Sequence, residues 1–241
     1  MNNNFKLITS INKRLYDHNA QRLVNNVYDI KYPITIYHEC SYENNYIQFP
    51  VSDNIDTIDI WQLPEYKFWI GNFISSPDTP WNNIKLHNGF LKKEQAKFWF
   101  RKVLSIVHAV LNSKTEYVIW CDADAYFENK LDDTFWDFVK NYNISCIYRN
   151  APHIESGFVV YKTNETVKKL MREYLGFYVS GDVWKYPRWC DGSVLTYLLK
   201  NEHIGKFKNI EFHDDTCSEF DISYYFKHIK DPFKEVRHKE I

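Results

Sequence analysis

The sequence predicts a single α/β domain in which helices flank a mixed β-sheet. Residues 6–11, 18–28 and 34–38 read as strand, helix and strand, the order that begins a doubly wound sheet. Residues 94–112 place apolar side chains at helical spacing along one face. Residues 117–121 are β-branched and aromatic, as in a strand buried on both faces. The 241 residues are enough for one sizeable core of this kind.

Composition narrows the possible partners and compartment. The formal net charge of −1 provides no basic surface for nucleic acid. No stretch approaches the roughly 18 apolar residues of a membrane span, and the start lacks a basic segment followed by an apolar run. Five scattered cysteines argue against a disulfide framework and a zinc site. We therefore expect a cytoplasmic protein with no membrane span and no nucleic-acid partner.

Two carboxylates come directly after the buried strand at 117–121. Asp122 and Asp124 flank Ala123, so an extended backbone would point both acids to the same side. Paired acids repel unless a cation lies between them, and hard oxygen ligands suit Mg²⁺ or Mn²⁺. The alternative is that both acids cap the helix predicted at 133–141. Asp132 and Asp133 are closer to that helix and fit the capping role better.

The strand, the Asp122-x-Asp124 pair and the aromatic pair that follows resemble the metal-binding motif of GT-A fold glycosyltransferases. The resemblance implies a Rossmann-like nucleotide-binding sheet and a bound Mn²⁺ or Mg²⁺. It implies a UDP- or GDP-sugar donor and a glycan or other hydroxyl acceptor. Residues 1–130 would form the nucleotide-binding half and residues 131–241 the acceptor-binding half.

In the first half, the resemblance places residues near the nucleotide base. Thr9, Ser10 and Tyr16 follow or end the first strand and would lie near the base. Glu39 ends the second strand and would lie near the base or ribose, with a solvated loop acid as the alternative. Asp17 is expected to cap the helix at 18–28. Residues 41–90 show no usable period, and several short pieces around an aromatic cluster are expected there.

One charged residue of the helix at 94–112 lies between its apolar face and its predicted solvated face. Arg101 and Ser105 belong to the face predicted to be solvated, whereas Lys102 lies at the rim of the apolar face. A lysine directed towards a core needs an anionic partner, and the motif acids or a diphosphate would supply it. GT-A enzymes have a basic residue about twenty positions before the motif, and we assign that role to Lys102 rather than Arg101. The alternative is a lysine whose ammonium reaches water.

In the second half, Glu155-Ser156-Gly157 at the head of an apolar strand resembles a GT-A segment that passes under the donor sugar. Gly157 would permit close backbone approach, and Glu155 would accept hydrogen bonds from sugar hydroxyls. An edge-strand glutamate in water is the alternative for Glu155. Asn164 is expected to cap the next helix. The aromatic segment 177–189 suits a loop that stacks an acceptor sugar, or a packing flap.

Asp191 begins an apolar stripe at helical spacing. In inverting GT-A enzymes, an acid in this region deprotonates the acceptor hydroxyl, and Asp191 is the candidate for that catalytic role. If the reaction retains configuration, no such base is required. The alternative is a helix N-cap, which is compatible with facing a cleft.

The tail contains a histidine and a lysine two residues apart. In several GT-A families a late histidine is the third protein ligand of the metal, and a following lysine contacts phosphate. His228 and Lys230 resemble that pair, although the usual glycine after the histidine is missing. His213 is the competing ligand, and a surface histidine is the alternative for either.

Two other functions remain open. Phosphatases of the haloacid dehalogenase type also carry paired aspartates after a buried strand, but they need a small hydroxyl residue soon afterwards and a later Gly-Asp-x-x-x-Asp. Here Ala125 and Tyr126 follow the pair, and Tyr186 occupies the place of the last acid. A non-catalytic nucleotide- or sugar-binding module on the same scaffold is the third function, and the intact metal candidates argue against it.

Overall fold

The computed structural model describes residues 4–40, 46–75, 92–148, 153–186, 190–199, 203–208 and 219–228. Eight strands form one sheet, and they follow the chain as β1 Phe5–Ile11, β2 Ile34–His38, β3 Ile55–Asp59, β4 Tyr117–Cys121, β6 Ile144–Ile147, β7 Glu155–Lys162, β8 Ile204–Lys208 and β9 Phe220–Asp221. A separate two-stranded sheet contains β5 Ala125–Phe127 and β10 Phe226–His228.

The strand order of the large sheet is β3-β2-β1-β4-β7-β6-β8-β9. The pairs from β3 to β4 are parallel, β7 is antiparallel to both of its neighbours, and β6, β8 and β9 are parallel again. The mixed α/β sheet predicted from the sequence is therefore confirmed. In this order the carboxyl ends of β1 and β4 and the amino end of β7 meet at one edge of the sheet, where open α/β sheets bind ligands.

Helices cover both faces of the sheet. They are α1 Lys13–Leu15, which runs through the π-helical turn Tyr16–Ala20 into α2 Gln21–Ile30, then α3 Pro64–Trp69, α4 Lys92–Asn112, α5 Asp133–Val139, α6 Glu165–Val179 and α7 Asp191–Leu198. No helix among the described residues is long and apolar enough to cross a membrane.

The side chains of β1 and β4 divide the core into two parts. Ile8 and Trp120 belong to the core that contains α4, whereas Leu7 and Ile119 belong to the core that contains α2. Because successive side chains of a strand point to opposite faces, Asp122 follows Trp120 onto the α4 side of the sheet. Asp122 therefore lies between the sheet edge and α4.

Helix capping explains where several helices begin. Asp132 accepts a hydrogen bond from the Phe135 amide at 3.1 Å, and Asn164 accepts one from the Val167 amide at 2.9 Å, as predicted. The expected cap at Asp17 is wrong. Asn12 caps the segment instead, accepting from the Leu15 amide at 2.8 Å, because the helical segment begins at Lys13, immediately after β1.

The part of 41–90 that the structure describes includes a strand and a helix whose positions the sequence did not predict. Strand β3 is at the sheet edge and partly exposed, so it has no apolar run. Helix α3 is one of the short pieces expected around an aromatic cluster, and it begins with Pro64, a residue favoured in the first helical turn. Tyr66 and Trp69 are fully buried, and Trp69 stacks on Phe100 of α4 with a centroid separation of 4.4 Å. This packing covers one flank of α4.

Candidate functional site

A cavity of about 910 Å³ opens at the edge where β1, β4 and β7 meet. Its wall includes residues from the turn after β1, from α4, from the turn after β4, from the head of β7 and from the start of α7. The residues that matter for the chemistry below are Ser10, Arg101, Lys102, Trp120, Asp122, Asp124, Glu155, Ser156 and Asp191. Exposed aromatic surface is contributed by Phe98, which is 42% exposed.

Asp122 and Asp124 line this cavity, and His228 lies beside them. Each offers one ligand atom, and the three atoms lie within 4.8 Å of one another. His228 Nε2 is 2.7 Å from Asp124 Oδ1 and 3.9 Å from Asp122 Oδ2. Two carboxylate oxygens and one imidazole nitrogen beside an open cavity would suit a divalent cation such as Mn²⁺ or Mg²⁺.

The two-stranded sheet brings His228 to the acids. Strands β5 and β10 pair antiparallel, and their register places His228 opposite Ala125, the neighbour of Asp124. Burial disfavours a charged imidazole, but the hydrogen bond to Asp124 and the charges of Asp124, Asp122 and Glu155 raise the pKa of His228 above its usual value. The acids therefore favour positive charge at this position.

Asp122 is held by its own strand, by β7 and by α4. Its amide donates to the Gly157 carbonyl at 2.8 Å, which continues the β4–β7 pairing beyond Cys121. Its Oδ1 accepts from Trp120 Nε1 and from Lys102 Nζ, both at 2.7 Å. A Cβ added at Gly157 would lie 3.3 Å from Asp122 Oδ2. The Asp122 and Glu155 carboxylates therefore border the space that a side chain at position 157 would occupy.

Lys102 joins the motif acid to Asp191. Its ammonium is 2.7 Å from Asp122 Oδ1 and 3.0 Å from Asp191 Oδ2, and it also donates to the Ser156 carbonyl at 2.8 Å. Burial disfavours the charged form, but the two carboxylates outweigh burial and raise the pKa of Lys102 above its usual value. Lys102 is buried, so the alternative of an ammonium reaching into water is wrong.

Asp191 reaches the cavity from the first turn of α7. The N-cap residue is Cys190, so the interpretation of Asp191 as the N-cap is wrong. Asp191 Oδ2 accepts a hydrogen bond from the Ser156 hydroxyl at 2.6 Å, and the main-chain carbonyl of Asp191 accepts one from the Tyr174 hydroxyl at 2.8 Å. Asp191 is only 6% exposed. Glu155 lines the same cavity from the head of β7.

Four residues were predicted near the nucleotide base, and the structure brings Ser10 alone of them to the cavity wall. Thr9 points to the opposite face of β1 from Ser10 and is fully buried. Tyr16 is buried as well, and its hydroxyl donates to the Gln48 carbonyl at 3.1 Å. Neither Thr9 nor Tyr16 has geometric support for a nucleotide contact.

Glu39 is the fourth of these residues, and it forms a buried cluster with Arg101, Tyr66 and Lys97. Arg101 Nη1 donates to Glu39 Oε2 at 2.7 Å, the Tyr66 hydroxyl donates to Oε1, and Lys97 Nζ is 3.5 Å from Oε1. Glu39 is 7% exposed, so it is not a solvated loop acid. Both carboxylate oxygens are engaged, and Glu39 is not among the residues that line the cavity.

The expectation that Arg101 and Ser105 lie on a solvated face is wrong. Arg101 is 3% exposed and Ser105 is fully buried. The reason is that Tyr66 of α3 and Glu39 after β2 cover this face of α4. Two other candidates, His213 and Lys230, lie outside the described residues.

Sequence reasoning missed Trp120 and Ser156 as parts of the site. Trp120 donates to Asp122, and Ser156 donates to Asp191 and contacts Lys102. The signal for Trp120 was present, because residues two apart in a strand share a face. Nothing comparable existed for Ser156, whose partner Asp191 is 35 residues away.

Comparisons with known proteins support the fold. No family model and no curated protein matches the sequence. Among solved structures, the chain is similar to mouse xyloside xylosyltransferase 1 in its apo form, with a TM-score of 0.54 and 10% sequence identity. The match covers 95% of this chain and 98% of that chain. The protein is therefore a single domain with a GT-A-like glycosyltransferase fold.

Proposed function

We propose that this protein is a metal-dependent glycosyltransferase that moves a sugar from a nucleotide-sugar donor to a glycan or other hydroxyl acceptor. The observation that carries the proposal is the convergence of Asp122, Asp124 and His228 in a GT-A-like fold, with the two acids on the wall of a large cavity. The proposal includes the division into a nucleotide-binding half, 1–130, and an acceptor-binding half, 131–241.

Charge explains why this cavity should bind a cation and a diphosphate together. Four carboxylates line it, from Asp122, Asp124, Glu155 and Asp191, and the buried Lys102 ammonium contacts two of them. Of the other cations on the same wall, Arg101 is paired with Glu39 and Arg14 is exposed. Such an excess of acid in a partly buried site is costly unless a cation compensates it. A bound Mn²⁺ or Mg²⁺ would neutralise the charge that develops on the departing diphosphate.

The residues of this chain would divide the remaining work. Asp122 Oδ2, Asp124 Oδ1 and His228 Nε2 would hold the cation. Glu155 would accept hydrogen bonds from hydroxyls of the donor sugar, since it heads the strand that passes beside Asp122. Ser10 would contact the nucleotide from the end of β1, and Lys230 would contact the diphosphate.

Asp191 is the candidate general base in an inverting reaction. It would accept the proton of the acceptor hydroxyl as that oxygen forms its bond to the sugar and the diphosphate leaves. Lys102 and the Ser156 hydroxyl fix the Asp191 carboxylate, so its orientation is set before the acceptor binds. If the product retains the donor's configuration, Asp191 instead binds sugar or stabilises the site.

Substrate classes can be tested in a defined order. The mouse protein is named a xyloside xylosyltransferase, so pentose and hexose donors and glycoside acceptors are the first choices. The chain should be incubated with UDP- and GDP-sugars, Mn²⁺ and a panel of glycosides. Release of nucleoside diphosphate and glycoside formation should be measured for the native chain and for Asp124→Asn.

The expected result is Mn²⁺-dependent product formation with one donor class and its loss in Asp124→Asn. NMR of the product anomer then decides whether Asp191 acts as a base. Release of inorganic phosphate from simple phosphomonoesters would instead support the phosphatase. Tight binding of a nucleotide sugar without turnover on any acceptor would support a non-catalytic module.

A further inference from the structure

The two oxygens of the Asp122 carboxylate have different environments. Oδ1 accepts two hydrogen bonds, one from Trp120 Nε1 and one from Lys102 Nζ. Oδ2 faces the open side of the cluster, 3.9 Å from His228 Nε2, next to the space left by the missing side chain of Gly157. One oxygen is therefore occupied by donors within the protein, and the other is directed towards the cation site.

We propose that Trp120 is a positioning residue for the cation site: its indole N–H holds Asp122 Oδ1 so that Oδ2 is the oxygen presented to the cation. This inference rests on the proposed function, because it assumes that the Asp122–Asp124–His228 cluster binds a divalent cation. It concerns a residue that would not contact the cation and acts through Asp122.

The two donors to Asp122 Oδ1 differ in the number of acceptors that each contacts. The Lys102 ammonium is shared among the carboxylates of Asp122 and Asp191 and the carbonyl and hydroxyl of Ser156. The indole offers a single N–H, and Asp122 Oδ1 receives it. The Lys102 ammonium is divided among four acceptor atoms, whereas Asp122 Oδ1 receives the whole of the Trp120 donor.

Burial and strand geometry keep that donor in place. Trp120 is 2% exposed and packs in the core that contains α4. It precedes Asp122 by two positions on the same strand, so both side chains project from one face. The ring cannot swing away without opening this core, and the N–H direction is fixed by packing.

A neutral donor also suits a cation site better than a second charged one. An additional arginine or lysine at this position would orient Asp122 but would cancel part of the negative charge that attracts the cation. The indole N–H orients the carboxylate and leaves its charge available. Groups that orient metal ligands in this way typically account for about 10- to 100-fold in metal affinity.

The test removes the N–H and keeps a smaller aromatic ring. In Trp120→Phe the carboxylate loses its fixed donor and gains freedom to rotate, so we expect Mn²⁺ to bind about tenfold more weakly by calorimetry. Trp69→Phe is the matched control, because Trp69 is also fully buried and its Nε1 donates to a main-chain carbonyl, that of Tyr178, at 3.1 Å. Both variants should lose stability, but Trp69→Phe should bind Mn²⁺ like the native chain.

The electron paramagnetic resonance spectrum of bound Mn²⁺ provides a readout that stability alone would not change. We expect Trp120→Phe to broaden the spectrum at saturating Mn²⁺, and Trp69→Phe to leave it unchanged. If Trp120→Phe does not fold, benzothienylalanine introduced at position 120 replaces the N–H by sulfur and preserves the ring outline. That protein should show the same loss of affinity.

Equal Mn²⁺ affinity in the native chain and in the variant lacking the indole donor would overturn the inference, and so would an equal loss in Trp69→Phe. Either result would leave the proposed function intact, since the native chain would still bind Mn²⁺. Absence of Mn²⁺ binding to the native chain, in contrast, would refute the metal site itself and with it this role for Trp120.

Discussion

Arg101 and Lys102 are adjacent on α4, and each belongs to a buried ion cluster. The two clusters differ in the balance of positive and negative charge. Arg101 meets one carboxylate, that of Glu39, and both Glu39 oxygens contact donors. Lys102 meets two carboxylates, those of Asp122 and Asp191. The Arg101 cluster contains at least as much positive as negative charge, because Lys97 is also within 3.5 Å of Glu39. The Lys102 cluster is rich in acid.

The difference separates a structural ion pair from a binding site. In the Arg101 cluster both oxygens of the one carboxylate are engaged by neighbouring donors, and the cluster holds α4 against β2 and α3. The Lys102 cluster continues into Asp124, which lines the cavity, and into His228 beside it. The four carboxylates of Asp122, Asp124, Glu155 and Asp191 outnumber the Lys102 ammonium and the His228 imidazole. Excess charge retained at a cleft, at a cost in stability, is typical of a functional site.

The largest expected effect comes from neutralising the balanced cluster. Glu39→Gln leaves the Arg101 guanidinium buried without a carboxylate, and breaking such a pair costs about 3–5 kcal/mol. Urea unfolding should measure this loss. Tyr66→Phe, which removes one hydrogen bond to Glu39 and no charge, should cost only about 1 kcal/mol. Similar losses in the two variants would contradict a structural ion pair.

Neutralising an acid in the other cluster should affect catalysis more than stability. In Asp191→Asn, Lys102 keeps Asp122 as its partner, so the loss of stability should be about 1–2 kcal/mol. If the reaction inverts, sugar transfer should fall about 100-fold or more, since a general base contributes that much. Rates and urea unfolding on one preparation separate the two effects. A stability loss as large as in Glu39→Gln would show that the cluster is balanced after all.

Gly157→Ala tests the open side of Asp122. The new Cβ would lie 3.3 Å from both Asp122 Oδ2 and Glu155 Oε1, so these side chains must shift by a few tenths of an ångström. We expect Mn²⁺ affinity to fall several-fold and stability to fall by about 1 kcal/mol. Gly176→Ala is the control: nothing lies near its Cβ position in α6, and it should stabilise the protein by about 0.5–1 kcal/mol. Unchanged Mn²⁺ binding in Gly157→Ala would place the cation elsewhere.

The smallest effect is a pH dependence of the balanced cluster. Burial disfavours the charged carboxylate, but Arg101, Lys97 and hydrogen bonds outweigh it and lower the pKa of Glu39 below its usual value. The resulting stabilisation is fully present above the unfolded pKa of about 4.3 and is lost as pH falls through the folded-state pKa. The stability advantage of the native chain over Glu39→Gln should therefore shrink below about pH 4, as measured by urea unfolding. A constant difference at all pH values would contradict this interpretation.

Local patterns were enough to predict most elements and the motif. Strand β4, helix α4 and the caps at Asp132 and Asn164 follow from apolar periodicity and from side chains that bond nearby amides. Lys102 was identified because a lysine at the rim of an apolar face needs an anion, and the structure supplies two. Each of these inferences depends on residues close in sequence.

Features that local patterns could not predict have non-local causes. Arg101 was placed on a solvated face because the covering helix α3 belongs to a segment with no usable period. Because side chains alternate along a strand, only one of Thr9 and Ser10 can face the cavity. Which of the two does so depends on the face of the sheet on which the cavity lies. The approach of His228 to Asp124 joins residues 104 positions apart, and the resemblance to GT-A enzymes, not periodicity, suggested it.

The most direct test of the central claim is a calorimetric titration of Mn²⁺ in the presence of a nucleoside diphosphate, using the native chain and Asp124→Asn. The acid-rich cluster predicts one Mn²⁺ per native chain and binding about 100-fold weaker in the variant, because Asp124 is a direct ligand. Equal binding in the two proteins, or none in the native chain, would contradict the account.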